Sequence, residues 1–192
     1  MGSEMCIRDR LATFWRASPT AIWNGVLTQT LAGAHLDLSS TARAFALMYL
    51  AGADASIAVW NAKYTYNFWR PQLAIAAGDI DPNPATAGES GWLPLVPTPA
   101  HPEYPSAHCT NSSAIAFVLE RLFGDGPAAP IRLTFTGVTR QWTTFQEGVD
   151  EVIDARVYSG IHFRTSDEVG ARLGRQVAQF ALTHALRPSR GR

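Results

Sequence analysis

Lys63 followed by Arg70-Pro71, the run Pro105-Ser106-Ala107-His108, and Arg156 followed by His162 hold the residue types of this chain most able to do chemistry. Together they supply three fixed cations, a hydroxyl, a turn with free backbone N–H groups and two imidazoles. Arginine presents a planar fork of donors that matches two oxygens of an oxyanion, and lysine adds a compact point charge. The set suits a tetrahedral oxyanion such as phosphate or vanadate. Lys63 and Arg70 lie seven residues apart, about 700° of helical rotation, so one continuous helix would send both from the same face. The Pro-Ser-Ala-His turn opens an apolar run, Ile115 to Phe123, closed by Gly124. That is the pattern of a helix whose N-terminal N–H groups, with the Ser106 hydroxyl, favour an anion. Arg156 and His162 are six apart, about 600°, which places them on different sides of an unbroken helix. Ser159-Gly160 is therefore expected to end one helix after Arg156 and to begin a new segment at His162.

In order and internal spacing these motifs resemble the signature of the vanadium-dependent haloperoxidases, within the superfamily that also holds the type 2 phosphatidic acid phosphatases and soluble bacterial acid phosphatases. The resemblance runs from about Phe14 to about Leu186. It implies that Lys63, Arg70, Arg156, Ser106 and the Ala107 N–H hold oxyanion oxygens. It further implies that His162 is the axial ligand to vanadium, or the nucleophile toward phosphorus, and that His108 is the acid–base group on the opposite side. Trp60 and His101 stand where the haloperoxidases line their halide pocket; the alternative is a core tryptophan and an ordinary loop histidine. Three positions depart from the family pattern. Ala107 replaces the usual glycine, Ala155 replaces a serine before Arg156, and Ser166 stands where the phosphatases place a ring-orienting aspartate, with Asp167 and Glu168 next to it.

The function implied first is halide oxidation by hydrogen peroxide on protein-bound vanadate, with a small organic acceptor and no haem. A soluble acid phosphatase with a histidine nucleophile is the second reading, and an inactive oxyanion-binding remnant the third. Because those haloperoxidases carry two helical bundles, with the vanadate residues mainly in the second, the resemblance also makes this chain the carboxyl-terminal part of a longer protein.

Composition bounds the rest. With 192 residues, 46% hydrophobic and 17% charged, the chain can bury one sizeable core. A formal net charge of zero favours neither nucleic acid nor an anionic membrane surface. No run of about eighteen uninterrupted apolar residues is present, and the longest candidate, Phe45 to Ala53, is bounded by Arg43 and Asp54. A soluble protein of bacterial type, cytoplasmic or exported, is expected. Residues 1–10 fit neither a signal peptide nor the start of a helix and look like translated adapter sequence, so residues 11–192 are read as a single helical domain.

The elements that must position the site read mostly as helix, so an all-α bundle is expected. Ser18-Pro19 starts a helix to about Leu31, and Asp37, Ser39 or Ser40 caps a long one reaching Lys63. Residues 78–105 are rich in proline, lack helical periodicity and form a long loop leading directly to Ser106 and His108. A helix from about Cys109 to Phe123, an extended piece near Ile131 to Phe135, and helices over about Thr139–Tyr158 and Ser166–Leu186 follow. Cys109, Trp15, Trp23 and Trp142 read as packing residues, and His35 and His184 as bystanders. Asp79, Asp81 and Asn83 imitate a calcium loop, but Pro84 and Ser90 stand where its glycine and glutamate belong.

Overall fold

A computed structural model describes residues 2–187. The helices α1 (Gly2–Phe14), α2 (Pro19–Ala34), α3 (Leu38–Tyr66), α4 (Pro71–Ala76), α5 (Ala107–Phe123), α6 (Phe145–Tyr158) and α7 (Arg164–His184) make up most of it. One antiparallel hairpin, β1 (Ile131–Phe135) and β2 (Val138–Trp142), sits between α5 and α6. The bundle matches the helical expectation. Two boundaries do not. Thr139–Trp142 is strand, not helix, and α6 begins only at a capping box in which Thr144 and Glu147 satisfy each other's backbone N–H groups. Residues 2–10, read as outside any helix pattern, lie in α1, which brings Leu11, Phe14 and Trp15 into the core.

α5 is the central helix, buried almost continuously from Cys109 to Leu119 and packed mainly on α7 and α3. Close approach is possible because α7 turns a stripe of small residues toward it, Gly170, Gly174, Ala178 and Ala181, at helical three- and four-residue spacing. A Cβ on Gly174 would overlap the Thr110 carbonyl, and one on Gly170 would sit 2.7 Å from the Ser106 carbonyl. α3 is capped by Asp37, whose carboxylate accepts from the Ser40 N–H. Its buried stripe runs Ala44, Leu47, Met48, Ala51, Ala55, Val59 and ends on Lys63, while Ile57 and Tyr64 face outward. Among the described residues, the stretch Leu38–Ala76 is long and apolar enough to cross a membrane by length and composition; here its stripe serves as a core face.

The second core gathers α1, α2, the hairpin and α6 around Phe14, Trp15, Trp23 and Trp142, with Trp23 and Trp142 stacked at 6.5 Å. All three tryptophans are buried, as their sequence context suggested. A buried carboxylate organises this core. Glu151 accepts from the indole N–H groups of Trp15 at 3.0 Å and Trp142 at 3.1 Å and pairs with Arg140.

Candidate functional site

The three motifs reach one place by three different chain reversals. α3 does not continue through Arg70, so the shared helix face expected from their spacing is not how Lys63 and Arg70 meet. Asn67 ends α3 in the left-handed conformation, its N–H donating to the Lys63 carbonyl at 2.9 Å. Arg70 is then extended (φ −90°, ψ 156°) because Pro71, the first residue of α4, excludes helical geometry from the residue before it. An extended Arg70 reaches sideways: its guanidinium donates to the His101 and Ile161 carbonyls and meets His162 Nε2 at 3.1 Å. Lys63 Nζ donates to the carbonyls of Pro102 at 2.9 Å and Glu103 at 2.8 Å.

α6 ends as its sequence indicated. Ser159 caps it, and Gly160 turns the chain at φ 74°, where a Cβ would strike the Trp92 ring at 2.8 Å. The turn leaves Arg156 in the last turn of α6 and swings His162 back over it in the segment before α7. Arg156 is buried and donates to the Trp15 carbonyl at 3.0 Å. Ser106 is the N-cap of α5 and Ala107 its first residue, so the α5 N–H groups open toward this centre. Ala107 has no positive φ, so the glycine it replaces is not required by the backbone at this position. Ala155 lies fully buried in the core.

Residues 78–105 form the expected loop after a short 3-10 turn at Gly78–Ile80, and the site cations tie it down. Its carbonyls at 101, 102 and 103 are the acceptors just described. His101 Nδ1 lies 3.1 Å from Arg70 Nη2, and its ring stands edge-on to Trp60 at 4.8 Å. Trp60 is 38% exposed and so not a core residue. The two rings stand beside Arg70 near a cavity of about 440 Å³ that Arg70, His101 and Pro99 line. A second cavity of about 310 Å³ is lined by His108, Arg156, Ile161 and the same Pro99.

Burial and mutual repulsion set the electrostatics. Lys63 is pushed down to about 7, by burial first and Arg70 second, and burial lowers Arg70 to about 10. Burial also lowers Arg156. His108 and His162 are both held well below the usual histidine range, again by burial first and then by the surrounding cations, so both are neutral. Asp167 is pushed up to about 7 by burial, and burial raises Glu103. Three buried cations thus face few counter-charges, which favours an added anion. Among the described residues, the buried polar atoms lacking a partner include Ser106 Oγ, His108 Nε2 and Arg156 Nε, and no cluster of three or more His, Cys, Asp or Glu side chains suits a bare metal cation. One histidine with three cations and free donors fits an oxyanion such as vanadate.

Glu103 is the residue that inspection of the sequence missed. Its Oε1 lies 2.6 Å from His162 Nδ1 and also accepts from the Phe163 N–H at 3.1 Å. The only signal was an acid two residues before the Pro105-Ser106 turn, inside a loop with no periodicity. Asp167, next to Ser166, accepts from the Cys109 thiol at 3.3 Å, and burial pushes that thiol well up. His35 ends α2, and the exposed His184 stacks on Phe180, both apart from the site.

The family profile of the VCPO second helical-bundle domain matches residues 43–191, which include every motif residue. The chain belongs to the vanadium haloperoxidase family. It is 31% identical over 105 residues to the vanadium chloroperoxidase of Curvularia inaequalis, covering 50% of this chain and 17% of that protein. The crystal structure of the first bacterial vanadium-dependent iodoperoxidase superposes with a TM-score of 0.81 at 29% identity, over 92% of this chain and 43% of that one. A holo-type bacterial vanadium-dependent chloroperoxidase shares the fold at a TM-score of 0.70 and 20% identity, over 91% of this chain and 43% of that one. The chain therefore spans less than half the length of these relatives.

Proposed function

We propose that this chain carries the vanadate site of a haloperoxidase, which oxidises halide with hydrogen peroxide and passes the oxidised halogen to a small organic acceptor. The observation that carries the reading is the meeting of neutral His162 Nε2 with the Arg70 guanidinium at 3.1 Å, among three buried cations. Vanadate, when bound, supplies a Lewis-acidic centre that activates peroxide. His162 would hold the metal through Nε2, whose lone pair the Arg70 guanidinium would release as it turned to the oxygens. Lys63, Arg70, Arg156, the Ser106 hydroxyl and the Ala107 N–H would hold its oxygens and draw negative charge from them. His108, neutral and with Nε2 free of protein partners, takes a proton as peroxide enters and returns one as the oxidised halogen leaves. Trp60 and His101 would line the halide's approach beside Arg70. Nothing in this chemistry calls for haem.

The phosphatase reading keeps one specific support. A histidine nucleophile benefits from an orienting partner, and Glu103 supplies it despite Ser166 at the usual aspartate position. The cations and N–H groups that would hold the oxygens of vanadate would equally hold those of a transferring phosphoryl group, so one site can serve both chemistries. A paired assay on one preparation separates the readings: bromination or iodination of a phenolic acceptor with peroxide and added vanadate, against hydrolysis of an aryl phosphate. Halogenation dependent on vanadate, with negligible phosphate release, is expected. The reverse would establish the phosphatase, and neither activity together with tight vanadate binding would leave the chain as an oxyanion-binding remnant.

A further inference from the structure

We propose that Glu103 is the positioning residue for His162: by accepting the Nδ1 proton it holds the ring as one tautomer and aims the Nε2 lone pair at the oxyanion centre. What binds at Nε2 rests on the haloperoxidase reading above; the tautomer does not. Two contacts, one on each ring nitrogen, fix it together. Arg70 Nη1 meets Nε2 at 3.1 Å, and a guanidinium can only donate, so Nε2 presents a lone pair. A neutral imidazole carries one ring proton, which is then on Nδ1, where Glu103 Oε1 waits at 2.6 Å.

The carboxylate is itself held. The same Oε1 accepts from the N–H of Phe163, the residue after the histidine, so one oxygen grips both the ring and its backbone. Glu103 is fully buried, its own N–H donates to the Phe68 carbonyl at 2.9 Å, and its carbonyl accepts from Lys63 Nζ. Among the described residues no other acid bonds the ring: the Asp167 carboxylate engages Cys109. A carboxylate behind Nδ1 makes Nε2 the better electron donor, opposing the pull of the neighbouring cations. The segment that supplies it continues directly into Ser106 and His108, so one stretch of chain sets both faces of the centre.

The test uses the chain labelled with ¹⁵N-histidine, comparing wild type with Glu103→Gln and Glu103→Ala, and assigning His162 by its loss in His162→Gln. Long-range ¹H–¹⁵N spectra report the tautomer, and equilibrium dialysis reports vanadate affinity. Wild type should show His162 purely as the Nδ1–H form with that proton far downfield. Glu103→Gln should lose the downfield shift and bind vanadate about tenfold more weakly; Glu103→Ala should mix the tautomers and weaken binding by up to about 100-fold. An Nε2–H ring in wild type, an unchanged tautomer in Glu103→Ala, or wild-type vanadate affinity in both variants would overturn the proposal. Should Glu103→Ala not fold, the proton shift and affinity of Glu103→Gln decide alone. A wild-type chain that shows the Nδ1–H form, loses it in Glu103→Ala, and yet never binds vanadate would sink the haloperoxidase reading while leaving the positioning role intact.

Discussion

His162, buried, and His108, half-buried, share cation-rich surroundings yet differ in their bonds, and the difference predicts different losses. His162 is tied through both nitrogens, to Glu103 and Arg70, whereas His108 Nε2 has no protein partner. His162→Ala should abolish retention of vanadate and halogenation together. His108→Ala should still retain vanadate, more weakly, but lose about 10²- to 10⁴-fold in turnover, the usual worth of a proton-transfer group. Bound vanadium per chain after desalting, measured beside the halogenation rate, separates the two; full retention by His162→Ala contradicts the assignment. For the cations, Arg156→Ala should weaken vanadate binding by about 2 to 3 kcal/mol through loss of a charge-assisted contact. The comparison is Arg172→Ala, an exposed α7 residue outside the motifs, expected to be silent in the same titration. Arg140 would be a poor comparison because it pairs with buried Glu151.

At the scale of elements, the crossing of α5 and α7 decides where the N-terminus of α5 points. Gly174 and Gly170 let the helices touch backbone to backbone at Thr110 and Ser106. Gly174→Ala should force them apart and lower stability by about 1 to 3 kcal/mol, the range for overpacking a core. Gly170→Ala presses on the Ser106 carbonyl itself, so its loss of oxyanion affinity should exceed that of Gly174→Ala. Gly33→Ala in α2 is the opposite case. Its Cβ would lie 3.7 Å from Ala128, an ordinary contact, and removing a helical glycine should stabilise by up to about 1 kcal/mol. Denaturant unfolding of the three variants checks the order; a neutral Gly174→Ala would show that the helices can part without penalty.

For the whole molecule, the site makes stability depend on pH in two opposing ways. Asp167 titrates near 7 in the folded chain and near 3.8 unfolded, so between those values the native state binds more protons and stability falls as pH rises. Lys63 titrates near 7 folded and near 10.5 unfolded, so across that window the unfolded state binds more protons and stability rises with pH. The contribution of this pair alone passes through a minimum near neutrality; the raised Glu103 adds to the fall, and the lowered His108 and His162 add a rise through the acid range. Asp167→Asn should remove the Asp167 share of the fall between about pH 4 and 7 while keeping the Lys63 rise, and bound phosphate or vanadate should raise Tm. Unfolding free energies measured across pH on both chains test this; parallel profiles would refute it.

Motif residues were legible in the sequence because an oxyanion needs particular side chains, and residue type does not depend on folding. Helices α2, α3, α5 and α7 were legible too, since each carries its own cap, proline or apolar period. The break at Ser159-Gly160 was also local, because a glycine at positive φ announces itself. Other features belonged to no single segment. The strand at Thr139–Trp142 exists because β1 pairs with it, and a stretch of five residues carries no period strong enough to tell strand from helix. Lys63 and Arg70 meet through a helix end and an extended residue, not along one face, because Pro71 overrides the rotation their spacing suggested. Glu103, alone among the acids of an aperiodic loop, became the partner of His162 only when Lys63 and Arg70 drew the loop's carbonyls inward. Composition and spacing determined which groups this protein has for holding an anion. Which groups hold the groups in place was decided by tertiary contacts 40 to 92 residues apart in the chain, where no local pattern reaches.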